Sequence, residues 1–197
     1  MAKRAFDLFF SISGLITLSP VLLVVALAVR LSSPGPVIFR SRRVGRSGKQ
    51  FSLFKFRTMT EDAQLKGPMI TIGKDPRITC LGAFLRKPKI DELPQLLNVV
   101  KGEMSLVGPR PEVPEYVSLY TAEQRAVLDL VPGITDPASI KYAHESDLLA
   151  AAERPEASYV HHVMPDKIRM NLDYAARARV GTDFLIILGT LARIARR

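Results

Sequence analysis

Apolar residues run almost without interruption from Ala5 to Leu31, the longest such stretch in the chain. Roughly 20 apolar residues suffice to cross a bilayer, so this segment is a membrane candidate. Ser19-Pro20 lies at its centre and predicts a kink, because proline removes a backbone donor and crowds the preceding turn. The Ser19 hydroxyl can serve the carbonyl that is freed. Three readings compete: a signal peptide with Ala26-Leu27-Ala28 as its cleavage site, a plain transmembrane helix, and a helix that enters the membrane, bends and returns to the same side. The apolar region is too long for a signal peptide, whose core runs to about 15 residues. Positive charge flanks both ends, with Lys3 and Arg4 before the segment and Arg30 and the Arg40–Arg46 cluster after it. Positive flanks stay on the cytoplasmic side, which favours re-entry at Ser19 and Pro20 and leaves the kinked span as its competitor. Asp7 is placed to pair with a base or to sit at the interface.

Ser32-Ser33-Pro34-Gly35-Pro36 is a breaker-rich linker, so the chain divides into a membrane segment over 1–36 and a second unit over 37–197. Val37–Phe39 and Phe51–Phe56 read as two strands around a basic loop holding Gly45 and Gly48. Thr60-Glu61-Asp62 signals the start of a helix over Thr60–Lys66, and Ile78–Arg86 is a short helix. The clearest helix is Ile90–Val100, with Leu93, Leu96, Leu97 and Val100 on one face and Asp91, Gln95 and Asn98 on another. Met104–Pro111 is a short apolar stretch ending in a Gly-Pro-Arg-Pro loop. Glu112–Val131 is mostly helical, Ile134–Tyr142 extended, and Pro165–Arg179 helical. Val180–Arg197 is apolar on one side with arginines at its end, which suits a C-terminal amphipathic helix lying in the membrane surface, or an ordinary docking helix. The fold class is therefore α/β, helix-rich, with a small β-hairpin element.

The chain of 197 residues carries a formal charge of +9, which calls for an anionic partner. Arg40, Arg42, Arg43, Arg46, Lys49, Lys55 and Arg57 cluster within one short segment, but no nucleic-acid motif accompanies them, and nucleic acid is not an expected partner. Cys80 is the single cysteine, so no intramolecular disulfide forms, and its apolar surroundings predict a small buried hydrophobe.

Candidate chemistry centres on Asp91 and Glu92. Acids at a helix start are favoured by the positive end of the dipole and serve as ordinary caps. An ionised aspartate can also act as a nucleophile, and a neighbouring glutamate can hold magnesium shared with substrate phosphates. Arg110 sits between Pro109 and Pro111 in a rigid loop that suits bidentate phosphate binding, or a surface ion pair. Arg86 precedes the acid pair and can face the same anion. His144, His161 and His162 show no metal-ligand spacing.

Taken together, Lys55-Phe56-Arg57-Thr58-Met59, Asp75-Pro76-Arg77-Ile78-Thr79, the run from Asp91 to Pro111 (DELPQLLNVVKGEMSLVGPRP) and Pro132-Gly133-Ile134-Thr135 resemble the bacterial sugar transferases, the monotopic phosphoglycosyl transferases. Without the extra N-terminal membrane domain of the long members, the sequence resembles their small form. The resemblance implies a re-entrant helix broken at Ser19-Pro20 and a site on the cytoplasmic face of the inner membrane. It implies that Asp91 attacks the β-phosphate of a UDP-sugar, expels UMP, and passes the phosphosugar to polyprenyl (undecaprenyl) phosphate in two steps. Asp91 and Glu92 would hold Mg2+, and Arg86, Arg110, Lys55 and Arg57 would meet phosphate. The expected partners are UDP-sugar, polyprenyl phosphate and membrane lipids; monomer and homodimer are both left open. One departure stands out. Many members continue Pro-Gly-Ile-Thr as Gly-Trp-Ala-Gln-Val-Asn-Gly-Arg, whereas this chain reads Asp136-Pro137-Ala138-Ser139-Ile140-Lys141-Tyr142-Ala143. Ala143 replaces an arginine, and Lys141 is the cation available to substitute for it, without the guanidinium fork. A non-catalytic membrane scaffold that binds anionic lipid or polyanion is the rival reading.

Overall fold

A computed structural model describes residues 1–63, 67 and 69–196. Its longest element is α1, Ala2–Ser32, about 46 Å at 1.5 Å per residue. Among the described residues it is the one helix long and apolar enough to cross a membrane. Helical residues continue through Ser19-Pro20. Pro20 has no N–H to give the Ile16 carbonyl, and the Ser19 hydroxyl donates to that same carbonyl at 2.8 Å. The serine thus repairs the gap the proline makes.

Both ends of α1 are tied to the rest of the molecule. Arg4 donates to the carbonyls of Val99 and Val100, and Asp7 accepts the Leu106 N–H. Gly14 lies against Leu96, where a Cβ would meet the leucine at 3.4 Å. At the far end Val25 and Val29 pack on Phe56 and Leu85. The outward side keeps Phe9, Ile16, Leu23 and Val24 exposed.

Strands β1 (Ile38–Val44) and β2 (Gln50–Phe56) form an antiparallel hairpin in which Ser41 faces Leu53. The strand is longer than the expected Val37–Phe39. Arg40, Arg42 and Arg43, expected in a basic loop, are strand residues, because alternation lets Arg40 and Arg42 point outward while Ser41 and Val44 are buried. Helix α2, Cys80–Arg86, is capped by the Thr79 hydroxyl, which accepts the Gly82 N–H. Cys80 is its first residue and is exposed, correcting the buried reading: a first-turn position can face solvent even inside an apolar run.

The expected Ile90–Val100 helix is two pieces. A 3-10 turn spans Ile90–Glu92, and α3 begins only at Gln95 after Pro94. Its buried face is also rotated from the leucine stripe. Gln95, Leu96, Asn98 and Val99 are buried, whereas Leu97 is 45% exposed. Asn98 explains the rotation. It accepts the Phe54 N–H and donates to the Ser52 carbonyl and to Glu103, so it pins the hairpin to α3.

Strand β3 (Ser105–Val107) pairs in parallel with β4 (Gly133–Thr135). Between them lie α4 (Pro114–Val117) and a 3-10 turn at Gln124–Asp129, less helix than expected. After β4 the chain does not stay extended. Asp136 caps α5, Pro137–Lys141, with Pro137 in its first turn, where proline is favoured. Helices α6 (Glu145–Ala150) and α7 (Pro155–Ser158) follow, and a π-turn at Tyr159–Val163 leads into α8 (Met164–Ala175). Val113, Tyr116, Leu149, Tyr159 and Ile168 form a core here. Helix α9, Val180–Ala195, closes the chain; Arg197 and part of the Thr60–Lys66 segment lie outside the described residues.

Candidate active site

Two glycine contacts bring distant motifs together. A Cβ on Gly108 would sit 2.3 Å from the Val131 carbonyl oxygen, and one on Gly133 would sit 2.1 Å from the Gly108 nitrogen. Only glycine allows these backbones so close. The Gly133 N–H donates to the Pro109 carbonyl and the Gly108 N–H to the Thr135 carbonyl. Gly-Pro-Arg-Pro is thereby locked onto Pro-Gly-Ile-Thr. Gly82 does the same for α2, since a Cβ there would meet the Thr58 carbonyl oxygen at 2.0 Å. This contact sets Arg86, whose Nε donates to the Thr58 hydroxyl.

These elements enclose a cavity of about 960 Å³ that Lys55, Arg86, Asp91, Glu92 and Arg110 all line. The backbone enters the acid pair through Lys89, a non-glycine residue at φ 60°, a conformation that costs energy and concentrates at functional sites. Asp91 is 4% exposed, and neither carboxylate oxygen has a hydrogen-bond partner among the described residues; Oδ1 is shut away from solvent. Burial, then the charge of Glu92, pushes its carboxyl above the usual aspartate range against the pull of Lys55, Lys89 and Arg86.

Glu92 is treated in the opposite way. Arg110 grips it with both terminal nitrogens, at 3.1 and 2.6 Å, and Lys55 Nζ lies 3.1 Å from the carboxylate. Burial alone would raise the Glu92 carboxyl, but Arg110, Lys55 and Lys89 overcome it and hold the group well below the carboxylate range. Burial brings the Lys55 ammonium down to about 8, with Glu92 opposing. Arg110 is held above its ordinary value by Glu92. Arg86 makes no ion pair among the described residues; its two contacts are the hydroxyls of Thr58 and Thr71.

The remaining expected phosphate contacts lie elsewhere or are already committed. Arg57 lines the cavity, but its guanidinium donates to the carbonyls of Val29, Ser33 and Pro36 and to the Ser33 hydroxyl. It closes the C-terminal end of α1, where carbonyls lack helical partners. Lys141 stands outside the lining of the main cavity and pairs with Asp166 at 2.6 Å. Ser19 and Pro20 lie in the exposed middle of α1.

Three residues at the site were not singled out in the sequence. Lys89, next to the acid pair, lies 3.7 Å from Glu92. Arg43 donates to the Pro111 carbonyl and to Glu112 from the hairpin. Asp136 accepts the Arg110 N–H. The signal for Asp136 is Asp-Pro, a helix-start pair; nothing in the sequence marks Arg43 out from its basic neighbours.

What the cavity offers chemically is a buried, unbonded carboxylate beside several cations. Comparison with known proteins points the same way. The Exopolysaccharide production protein PSS of Rhizobium leguminosarum bv. phaseoli is 39% identical, with 96% of this chain and 92% of that protein covered. The UDP-glucose:undecaprenyl-phosphate glucose-1-phosphate transferase of Escherichia coli (strain K12) is 37% identical over 97% of this chain, which spans 39% of that longer protein. The UDP-N-acetylgalactosamine-undecaprenyl-phosphate N-acetylgalactosaminephosphotransferase of Aeromonas hydrophila is 37% identical over 74% of this chain and 35% of its own length. The sequence profile of one family, Bacterial sugar transferase, matches residues 1–197, and this chain belongs to that family of transferases.

Proposed function

We propose that the protein moves a sugar phosphate from a UDP-sugar to polyprenyl phosphate, undecaprenyl phosphate in particular, through a covalent intermediate on Asp91. An Asp91 oxygen attacks the β-phosphorus, the bond to the bridging oxygen breaks, and UMP leaves. An oxygen of the polyprenyl phosphate then attacks the same phosphorus, the bond to Asp91 breaks, and the freed carboxylate is ready for another cycle. The product is a polyprenyl-diphosphate sugar. The observation that carries this reading is the contrast inside the acid pair. Glu92 is saturated by cations, while Asp91 is buried beside them with no hydrogen bond to quench it. The Escherichia coli and Aeromonas hydrophila relatives are named for different UDP-sugars with undecaprenyl phosphate, which supports the shared reaction and leaves the sugar to experiment.

Arg110, Lys55 and Arg86 neutralise the donor's phosphates, and the Asp136-to-Ala143 segment lines the cavity through Ser139, Ile140, Tyr142 and Ala143 on the side left for the rest of the donor. A magnesium ion fits here. Asp91 has oxygens free of hydrogen bonds, and magnesium takes one or two carboxylates and completes its shell with substrate phosphates and water. Asp91 would hold it, joined by Glu92 once Arg110 and Lys55 turn to the donor's phosphates, and it would offset charge on the transferring phosphoryl group.

The seat we infer is monotopic, on the cytoplasmic face of the inner membrane, with α1 re-entrant. Both ends of α1 bind the same globular body, as a straight span with its ends on opposite faces would not, while its middle stays apolar and exposed. Lys3 and Arg4 are engaged within the protein, so this contact pattern supports the seat more directly than flank charge does. Helix α9 adds exposed Phe184, Leu185, Leu188 and Leu191, a face that suits the interface.

The test is UMP release by protein in nanodiscs with magnesium, undecaprenyl phosphate and UDP-sugars supplied one at a time. Release with one donor, lost in Asp91→Asn, supports the reading. Folded protein silent with every donor would leave the scaffold reading in its place, and release that survives Asp91→Asn would remove Asp91 as the nucleophile.

A further inference from the structure

Pro109 and Pro111 have no N–H, so Arg110 supplies the one main-chain donor of Pro109–Pro111. That N–H goes to Asp136 Oδ2 at 2.9 Å. Asp136 is 1% exposed, and its two oxygens serve different elements. Oδ1 accepts the Ser139 N–H and starts α5; Oδ2 holds Arg110, with the Asn171 amide of α8 approaching at 3.5 Å. The Asn171 amide is oriented for this, since its nitrogen also donates to the Lys167 carbonyl. No cation pairs with Asp136 among the described residues.

We propose that Asp136 is the positioning residue for Arg110. Its carboxylate fixes the arginine's main chain, and so the angle at which the guanidinium meets both Glu92 and the diphosphate of the donor. The inference rests on the reading that Arg110 binds donor phosphate. The segment that follows Pro-Gly-Ile-Thr thus contributes an anchor for the phosphate arginine.

The experiment is a double-mutant cycle on the full chain in nanodiscs, with UDP as the probe and calorimetric affinity as the readout. Asp136→Ser keeps a side chain able to cap α5 and is too short to hold Arg110 as well. It weakens UDP binding about 10-fold, a loss of the size expected when a binding group is displaced. Arg110→Ala weakens UDP at least as much, and the double variant is no weaker than Arg110→Ala alone, because Asp136 acts through the arginine. Melting temperatures of all variants separate this coupling from unfolding, and Asp136→Asn replaces the serine variant should that one not fold. Unchanged UDP affinity in a folded Asp136 variant overturns the proposal, as does a penalty that persists undiminished in the Arg110→Ala background. If Arg110→Ala itself leaves UDP affinity unchanged, the phosphate role of Arg110 falls first, and this inference with it.

Discussion

Two buried acids in this molecule meet opposite fates. Asp183, in the first turn of α9, is 0% exposed and fully partnered: Lys3 of α1 and the Tyr174 hydroxyl both reach it. Lys3 also donates to the Val107 carbonyl, so one ammonium joins α1, β3 and α9. Asp91 is nearly as buried and has no hydrogen bond at all among the described residues. Burying a charge is costly unless it is paired and bonded. At Asp183 that cost is met by partners, and the acid stabilises the fold. At Asp91 it is left standing, as the proposed role of a group kept for reaction rather than for stability requires.

The largest effect that sharpens this contrast is on activity. Asp91→Asn lowers UMP release on the order of 10⁴-fold, the scale on which removing a nucleophile acts. Stability moves the other way or not at all. The Asp91 carboxyl is raised by burial and Glu92, so its contribution to stability is full below the usual aspartate value and is lost as pH rises through the raised one. At neutral pH the asparagine therefore melts at the same temperature or higher. Asp183→Ala does the reverse. It costs about 2 kcal/mol or more by chemical denaturation, below the worst buried pairs because Lys3 keeps 38% of its side chain exposed. Activity per folded molecule is retained.

A smaller effect concerns Lys55. Its ammonium is pushed down to about 8, so the charge is present below that pH and lost above it. The donor KM rises as pH passes through about 8. Lys55→Arg, which does not deprotonate, removes that limb from a KM–pH profile. Smallest is Ser19→Ala. It leaves the Ile16 carbonyl without its hydroxyl and costs about 1 kcal/mol in unfolding from nanodiscs, the net worth of one hydrogen bond.

The two acids also differ in how far the sequence announces them. Asp91 is legible through its motif and its neighbour Glu92, and the hairpin, α2, α8 and α9 are legible through period and caps. Asp183 is not, because its value comes from Lys3, 180 positions away. The same holds for Arg57, which reads as one more base in a basic run and proves to cap α1 across a sequence gap. Periodicity places the buried side of α3 on its leucines, while the pull of Asn98 on the hairpin turns Leu97 out. Proline marks the middle of α1 as a gap in the backbone ladder, and the hydroxyl of the adjacent serine takes up the carbonyl it leaves. Local chemistry is readable residue by residue; partners far along the chain are not.

The most direct test of the account is the intact mass of the protein after mixing with its UDP-sugar and magnesium, without polyprenyl phosphate. A covalent route through Asp91 predicts a gain equal to one phosphosugar, stoichiometric UMP, the adduct mapped to Asp91, and its discharge on adding undecaprenyl phosphate. Turnover with acceptor present but no adduct and no UMP in its absence would contradict it, and would mean that donor and acceptor react directly with each other.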